Sequence, residues 1–251
     1  MIKTITPILI SIVLLIGCKS EVKYENFVQK IEKAHQKKKF LSKEAIQFDL
    51  KLTFGGQEKL DAKITLLTNS SKGAIVYKNG AKIIFDNDKV FYSADIPNEE
   101  SVRFDAYTWG YFFIFPYKLS DSGTKWSFYD NIEANSEDFV TQKLTFESGT
   151  GDAPDDWYVV YANKSTNLID KAAYIVTVNG NKEEAEKNPH VINYLDYKEV
   201  EGIPIATKWL FWEWKKNVGV TKEIGNASLT NIKFIPVNSD YFKPDSSFIS
   251  K

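Results

Sequence analysis

Strict alternation over residues 46–54 constrains this chain more than any other feature of its sequence. Ile46, Phe48, Leu50, Leu52 and Phe54 fall on one side of a two-residue period, and Gln47, Asp49, Lys51 and Thr53 on the other. Successive side chains of a strand point to opposite faces, so this spacing builds a strand with one apolar and one polar face. Such strands belong to antiparallel sheets packed on one side. After a turn at Gly55-Gly56 the pattern resumes over 60–67, then over 73–77, 81–85 and 89–93, with Asn79-Gly80 and Asn87-Asp88 at hairpin-turn positions. The first half therefore reads as an antiparallel meander.

Two segments break the strand pattern. From Tyr24, the residues Phe27, Val28, Ile31 and Ala34 recur at helical spacing, and the helix is expected to run to the basic Lys37-Lys38-Lys39. Residues 99–114 read as a second helix, ended by Pro116, which has no amide to continue it. Strands are expected again at 126–129, 139–146, 157–162, 168–178, 190–199, 203–214 and 220–234, with turns at Gly180-Asn181 and Glu201-Gly202. The tail, 241–251, is expected to be ordered and then to fray. No repeat or low-complexity linker divides the chain. Many antiparallel strands in series predict one sheet that curls or closes, because long open edges invite pairing with other chains.

The N-terminus carries a separate message. Lys3 precedes an apolar run from Ile8 to Ile16, broken only by Ser11 and followed by Gly17-Cys18. The run falls short of the ~20 residues that a membrane-spanning helix needs, and reads as a signal-peptide core. Leu15-Ile16-Gly17-Cys18 resembles the lipobox of bacterial lipoproteins. That resemblance implies cleavage before Cys18 and acylation of it, with each buried CH₂ adding about 0.8 kcal/mol to the membrane anchor. Cys18 is the only cysteine, so no intramolecular disulfide or cysteine metal site can form. The expected organisation is residues 1–17 as signal peptide, 18–23 as lipidated tether and 24–251 as one β-rich domain. Lys19 and Glu21 resemble the export tags of surface lipoproteins of the Bacteroidota, and no aspartate follows the cysteine as an inner-membrane retention signal.

The strand segments carry a second resemblance. Asp156-Trp157-Tyr158-Val159-Val160-Tyr161-Ala162, then a polar turn and Leu168-Ile169-Asp170-Lys171-Ala172-Ala173-Tyr174, and later Tyr197-Lys198-Glu199-Val200-Glu201-Gly202-Ile203-Pro204-Ile205-Ala206, are similar to hairpins of the lipoprotein-localisation-factor superfamily, which includes outer-membrane lipoprotein-sorting proteins. Tyr111-Phe112-Phe113-Ile114-Phe115-Pro116-Tyr117-Lys118-Leu119-Ser120-Asp121 resembles a stretch in uncharacterised Bacteroidota lipoproteins. The likeness spans roughly residues 24–248 in its order of elements. It implies a mainly β fold with a few helices: a single-domain, incomplete antiparallel β-barrel wrapped over helices, with an apolar cavity that takes acyl chains or other lipids. The lid-holding arginine of the soluble carriers has no recognisable counterpart, the one arginine being Arg103. The sorting activity itself is therefore not carried over.

The candidate site follows from the aromatic residues. Phe104, Tyr107, Trp109, Tyr111, Phe112, Phe113 and Phe115 crowd the second helix, and Trp209 and Phe211 the strand 203–214. They are expected to line an apolar-ligand cavity beneath that helix; equally, they are rings that fill a core, each burying ~150–250 Å². Trp209, Phe211, Trp212 and Trp214 put rings on both faces of one strand; the favoured reading has one face in the core and the other under a loop or the N-terminal helix. His35 and His190 are expected at a solvated helix end and in a loop, Asp155-Asp156 is expected to cap the turn before Trp157, and no metal site or cofactor is foreseen. Gly149-Thr150-Gly151-Asp152 lacks the residues of a phosphate loop. Lys+Arg and Asp+Glu, 32 against 33, give no electrostatic case for nucleic acid. Two functions follow as expectations: a non-enzymatic, lipid-anchored envelope lipoprotein, most naturally at the outer membrane, that binds an acyl chain or other apolar ligand, or a structural, partner-docking lipoprotein with a filled core.

Overall fold

The computed structural model describes residues 21–130, 137–178 and 180–251. Two helices, α1 (Glu21–Ala34) and α2 (Lys37–Leu41), lead into five strands, β1 (Ala45–Phe54), β2 (Gln57–Leu67), β3 (Lys72–Tyr77), β4 (Lys82–Asp86) and β5 (Lys89–Tyr92). Helix α3 (Val102–Ile114) follows, continued by a 3-10 turn over Phe115–Tyr117. Then come β6 (Thr124–Phe128), β7 (Phe139–Phe146), β8 (Tyr158–Asn163), β9 (Ile169–Tyr174), the short α4 (Lys182–Ala185), β10 (His190–Val200), β11 (Ile203–Lys215), β12 (Gly219–Ile235) and β13 (Ile249–Ser250).

All of these strands join one antiparallel sheet in the order β13-β5-β4-β3-β2-β1-β12-β11-β10-β9-β8-β7-β6. Two meanders meet where β1 pairs with β12, with Ile46 opposite Phe234 and Phe54 opposite Gly225. The sheet does not close, because β6 and β13 are its two edges. This is the incomplete barrel over helices that the resemblance implies.

The alternation of β1 places Ile46, Phe48, Leu50 and Leu52 in the main core. α3 lies at the centre of that core. Its apolar residues Val102, Ala106, Trp109, Phe112, Phe113 and Ile114 are buried, and the rings of α3 touch strands of both meanders. Phe113 stacks on Phe48 of β1 at 4.1 Å, Tyr107 meets Phe85 of β4 at 5.2 Å, and Phe112 meets Tyr174 of β9 at 5.0 Å and Phe211 of β11 at 5.9 Å. α2 adds Phe40, stacked on Tyr117 at 3.7 Å, and α1 adds Phe27, edge-on to Trp126 at 5.5 Å. Gly110 lets α3 approach β2 closely: a β-carbon there would sit 3.2 Å from the Leu66 side chain.

Several expectations are corrected. α1 starts at Glu21, before Tyr24, and ends at Ala34, because Gln36 takes a left-handed conformation (φ 57°) that splits the predicted helix in two. His35 is no solvated end: it is 1% exposed, and its Nε2 accepts the Ile169 amide at 3.1 Å. His190 is not in a loop but opens β10, half-buried against Tyr174. α3 starts at Val102, since Asn98 holds the preceding residues in a turn through the Glu100 amide and the Ser101 hydroxyl. β9 stops at Tyr174 because its partner β8 begins at Tyr158. Beyond that point the Thr177 amide and hydroxyl both donate to Asp156 at 2.8 Å, so this carboxylate ties across to the neighbouring chain segment instead of capping its own turn. The turn expected at Gly180-Asn181 opens α4, which Asn181 caps by accepting the Glu184 amide at 2.9 Å. The tail does not fray, because Ile249 and Ser250 pair with β5 and the Lys251 amide reaches the Val90 carbonyl at 2.9 Å.

The rings of β11 divide by face. Trp209 and Phe211 join α3 in the main core, while Trp214 is buried in a second cluster with Trp157, Tyr161 and Val191, where Trp212 also packs. That second face is covered by Ala185 of α4 and by Tyr129, not by the N-terminal helix.

Candidate functional site: a cavity beside the central helix

A cavity of about 520 Å³ opens along α3. Helical spacing explains how one helix serves both core and cavity. Val102, Ala106, Trp109 and Phe113 form one stripe, buried against the sheet. Phe104, Tyr107, Thr108, Tyr111 and Phe112 form the other, and all five line the cavity. The facing wall comes from Leu66 of β2, Phe85 of β4, Phe146 of β7, Tyr158 of β8 and Tyr174 of β9.

The nine predicted aromatic residues therefore separate. Phe104, Tyr107, Tyr111 and Phe112 are at the cavity. Trp109, Phe113, Phe115, Trp209 and Phe211 do not line it; all are buried in the main core. Phe115 stands behind the wall, 4.8 Å from Tyr158 and 5.7 Å from Tyr111. Phe113 and Trp209 border only a void of about 10 Å³ beside His35, room for roughly one water. Residues that sequence reasoning missed, Tyr158 and Tyr174 above all, come from β8 and β9, where the period of two that sets them with Val160, Ala162 and Ala172 toward the main core is the signal that marks them. Cys18 lies outside the described residues.

Charged residues ring the cavity in pairs. Arg103 is held against Asp152 by its Nε at 3.2 and 3.1 Å from the two carboxylate oxygens, and its Nη1 donates to the Asp88 carbonyl at 3.1 Å. Its guanidinium lies 5.2 Å from the Tyr107 ring centre, and the Tyr107 hydroxyl donates to the Asn87 carbonyl at 3.0 Å. One side chain thus joins the start of α3, the β4–β5 turn and the glycine-rich loop at 149–152. On another part of the rim Lys118 pairs with Asp121 and donates to Ser70 at 3.0 Å.

Deeper in, Asp156 is half-buried; burial pushes its carboxyl above the usual aspartate value, and the two Thr177 hydrogen bonds pull it part of the way back. Burial also raises the phenols of Tyr111, Tyr158 and Tyr174, with the nearby Asp156 charge adding to it, so they keep their protons at any physiological pH. Among the described residues no cluster of His, Cys, Asp or Glu is arranged to hold a metal ion, and no helix is long and apolar enough to cross a membrane.

Compared by sequence, the chain matches no family model and no curated protein. Compared by structure, it is similar to a LolA superfamily protein from Nitrosomonas europaea at a TM-score of 0.58 and 10% identity, over 88% of this chain and 98% of that one. It is also similar to a domain described as an outer membrane lipoprotein-sorting protein from Vibrio parahaemolyticus, at a TM-score of 0.54 and 8% identity, over 88% of this chain and 97% of the other. At such identities the likeness is one of fold: an open antiparallel sheet with helices packed against it, resembling that of the LolA superfamily.

Proposed function

We propose that the chain is a lipid-anchored lipoprotein of the cell envelope that takes an acyl chain, or another apolar ligand of similar girth, into the cavity beside α3, without catalysing a reaction on it. The observation that carries the reading is the cavity itself. At about 520 Å³ it has the size of a small-molecule site, and rings from a helix and from both meanders stand in its wall. Ring faces replace water around an aliphatic chain without leaving polar groups stranded. The ligand enters as the α3 face from Phe104 to Phe112 and the Arg103–Asp152 contact give way. The anchor is the acylated Cys18, and the outer membrane is its place in the envelope.

The docking alternative accounts for the filled core under Trp109, Phe113, Trp209 and Phe211, yet leaves the void on the other side of the helix without a purpose. The test is native mass spectrometry of the chain released from membranes without detergent. Co-purified lipid, or a mass shift on adding an acyl ester or phospholipid, is expected. A single ligand-free mass that no lipid shifts would refute the binding reading. For the anchor, labelling with radioactive palmitate should be lost in Cys18→Ala.

A further inference from the structure

The Asp156 end of the cavity carries polar groups that an apolar chain does not use. Tyr111, Tyr158 and Tyr174 all line it, with ring centres 5.9 Å apart for Tyr111–Tyr158 and 6.1 Å for Tyr158–Tyr174. Among the described residues none of the three hydroxyls has a protein hydrogen-bond partner, although Tyr158 is only 6% exposed and Tyr174 4%. Neighbouring phenols show what is ordinary here: Tyr194 donates to the Phe112 carbonyl at 3.0 Å and Tyr197 to that of Ile169 at 2.7 Å. None of the three hydroxyls is sealed in the core: they open on the cavity, where water or a ligand supplies the partner. Beside them, Asp156 uses only Oδ1 for Thr177, and its Oδ2 has no partner among the described residues.

The charges at the wall narrow the partner. Four carboxylates line the cavity, against one arginine and one lysine. Arg103 pairs with Asp152 and also lies against Asp88, and Lys118 pairs with Asp121, which leaves Asp156 without an ion pair among the described residues. We infer that Tyr111, Tyr158, Tyr174 and Asp156 form a subsite for the uncharged carbonyl head of an acyl ester or secondary amide, and that this subsite turns free fatty acids away. The phenols donate to the carbonyl oxygen, and Oδ2 of Asp156 accepts an amide N–H where the ligand has one. A carboxylate or phosphate placed there would bring a second negative charge beside Asp156, which has no ion-pair partner among the described residues to offset it, and like charges so placed repel.

This inference rests on the cavity reading, and the experiment separates the two. Laurate, methyl laurate, N-ethyl lauramide and dodecane are offered in equal amounts at pH 8 to the full chain held in amphipol. Bound compounds are extracted and quantified by mass spectrometry against amphipol alone. The ester and amide should be recovered about ten-fold or more above laurate. Asp156→Asn, which keeps an acceptor for Thr177, should bring laurate to within about two-fold of the ester. The Tyr158→Phe, Tyr174→Phe pair should lower ester and amide while leaving dodecane unchanged. Laurate recovered as well as its ester by the unaltered chain would overturn the subsite alone. Recovery of none of the four above the amphipol control would overturn the cavity reading and this inference with it.

Discussion

Tyr194 donates its hydroxyl to the carbonyl oxygen of Phe112 across 3.0 Å. In a regular helix that carbonyl accepts the amide four residues on, and here that residue is Pro116, which has none. A buried phenol from β10 thus serves a helix end that proline has left short of a donor. Tyr194→Phe should cost about 1–2 kcal/mol in a urea unfolding experiment, because the carbonyl stays buried without its partner. Pro116→Ala restores an amide, so the same Tyr194 substitution should cost clearly less in that background. Two costs that simply add would show that the bond does not compensate for the proline.

The link between His35 and the Ile169 amide gives the fold a pH dependence. His35 is buried and accepts that amide through a neutral ring, and burial lowers its pKa from 6.5 to about 3. A base whose pKa is lower in the fold than in the open chain is protonated first when unfolded. Stability is therefore full above pH 6.5 and falls as the pH drops toward 3, with about 2 kcal/mol lost by pH 5. His190, also lowered by burial, acts in the same direction. His35→Gln keeps an acceptor and removes the titration, so denaturant midpoints measured from pH 6.5 to 5 should flatten. An unchanged slope would assign the effect to other groups.

The two stripes of α3 should differ in what they contribute to stability. Phe113 is stacked on Phe48 at 4.1 Å in a filled core, and Phe113→Ala should cost about 3–5 kcal/mol. Phe104, half-buried at the cavity edge, leaves no new sealed void when truncated, and Phe104→Ala should cost about 1 kcal/mol or less. Thermal unfolding of both variants gives the comparison, and equal losses would mean that the cavity wall is packed as tightly as the core.

That split shows where the sequence is readable and where it is not. A period of two is local, so the alternation from Ile46 to Leu52 predicts which residues of β1 are buried without knowledge of any neighbour. Helical spacing is equally local, and Phe104, Tyr107, Thr108 and Tyr111 separate from Val102, Ala106, Trp109 and Phe113 on it alone. Treating every ring in the segment as one site hides that separation. Which stripe faces a void depends on long-range packing, and so does the burial of His35, whose partner Ile169 is 134 residues away. The edge pairing of Ile249 with Tyr92 has the same character, since two residues carry no periodicity to read. The open sheet, by contrast, was legible from the serial hairpins and the family resemblance together.

Arg103 holds three segments across the cavity rim, and its removal should change rate more than stability. Its pair with Asp152 is about one-third exposed on each side, and exposed pairs contribute roughly 0–1 kcal/mol. Arg103→Gln should leave the melting temperature nearly unchanged. It should raise the uptake rate of a fluorescent neutral acyl ester several-fold in stopped flow, because the loop at 149–152 is no longer tied to α3. An unchanged rate would place the route into the cavity elsewhere on its rim.

Thr108 offers the cleanest way to separate binding from folding. It lies on the cavity stripe of α3 between Phe104 and Phe112, half-buried, and its side chain makes no hydrogen bond among the described residues. A larger apolar side chain there projects into empty space rather than into packed atoms, so the overpacking cost of about 1–3 kcal/mol expected in a filled core should not arise. Phenylalanine also buries more apolar surface than threonine, at about 25 cal/mol per Å². Thr108→Phe should therefore hold or raise the melting temperature while reducing lipid recovery, because the ring takes volume from a cavity of about 520 Å³. A clear loss of stability would mean that the space beside α3 is smaller than its walls suggest. Unchanged lipid recovery from a stable variant would place the bound lipid outside this cavity.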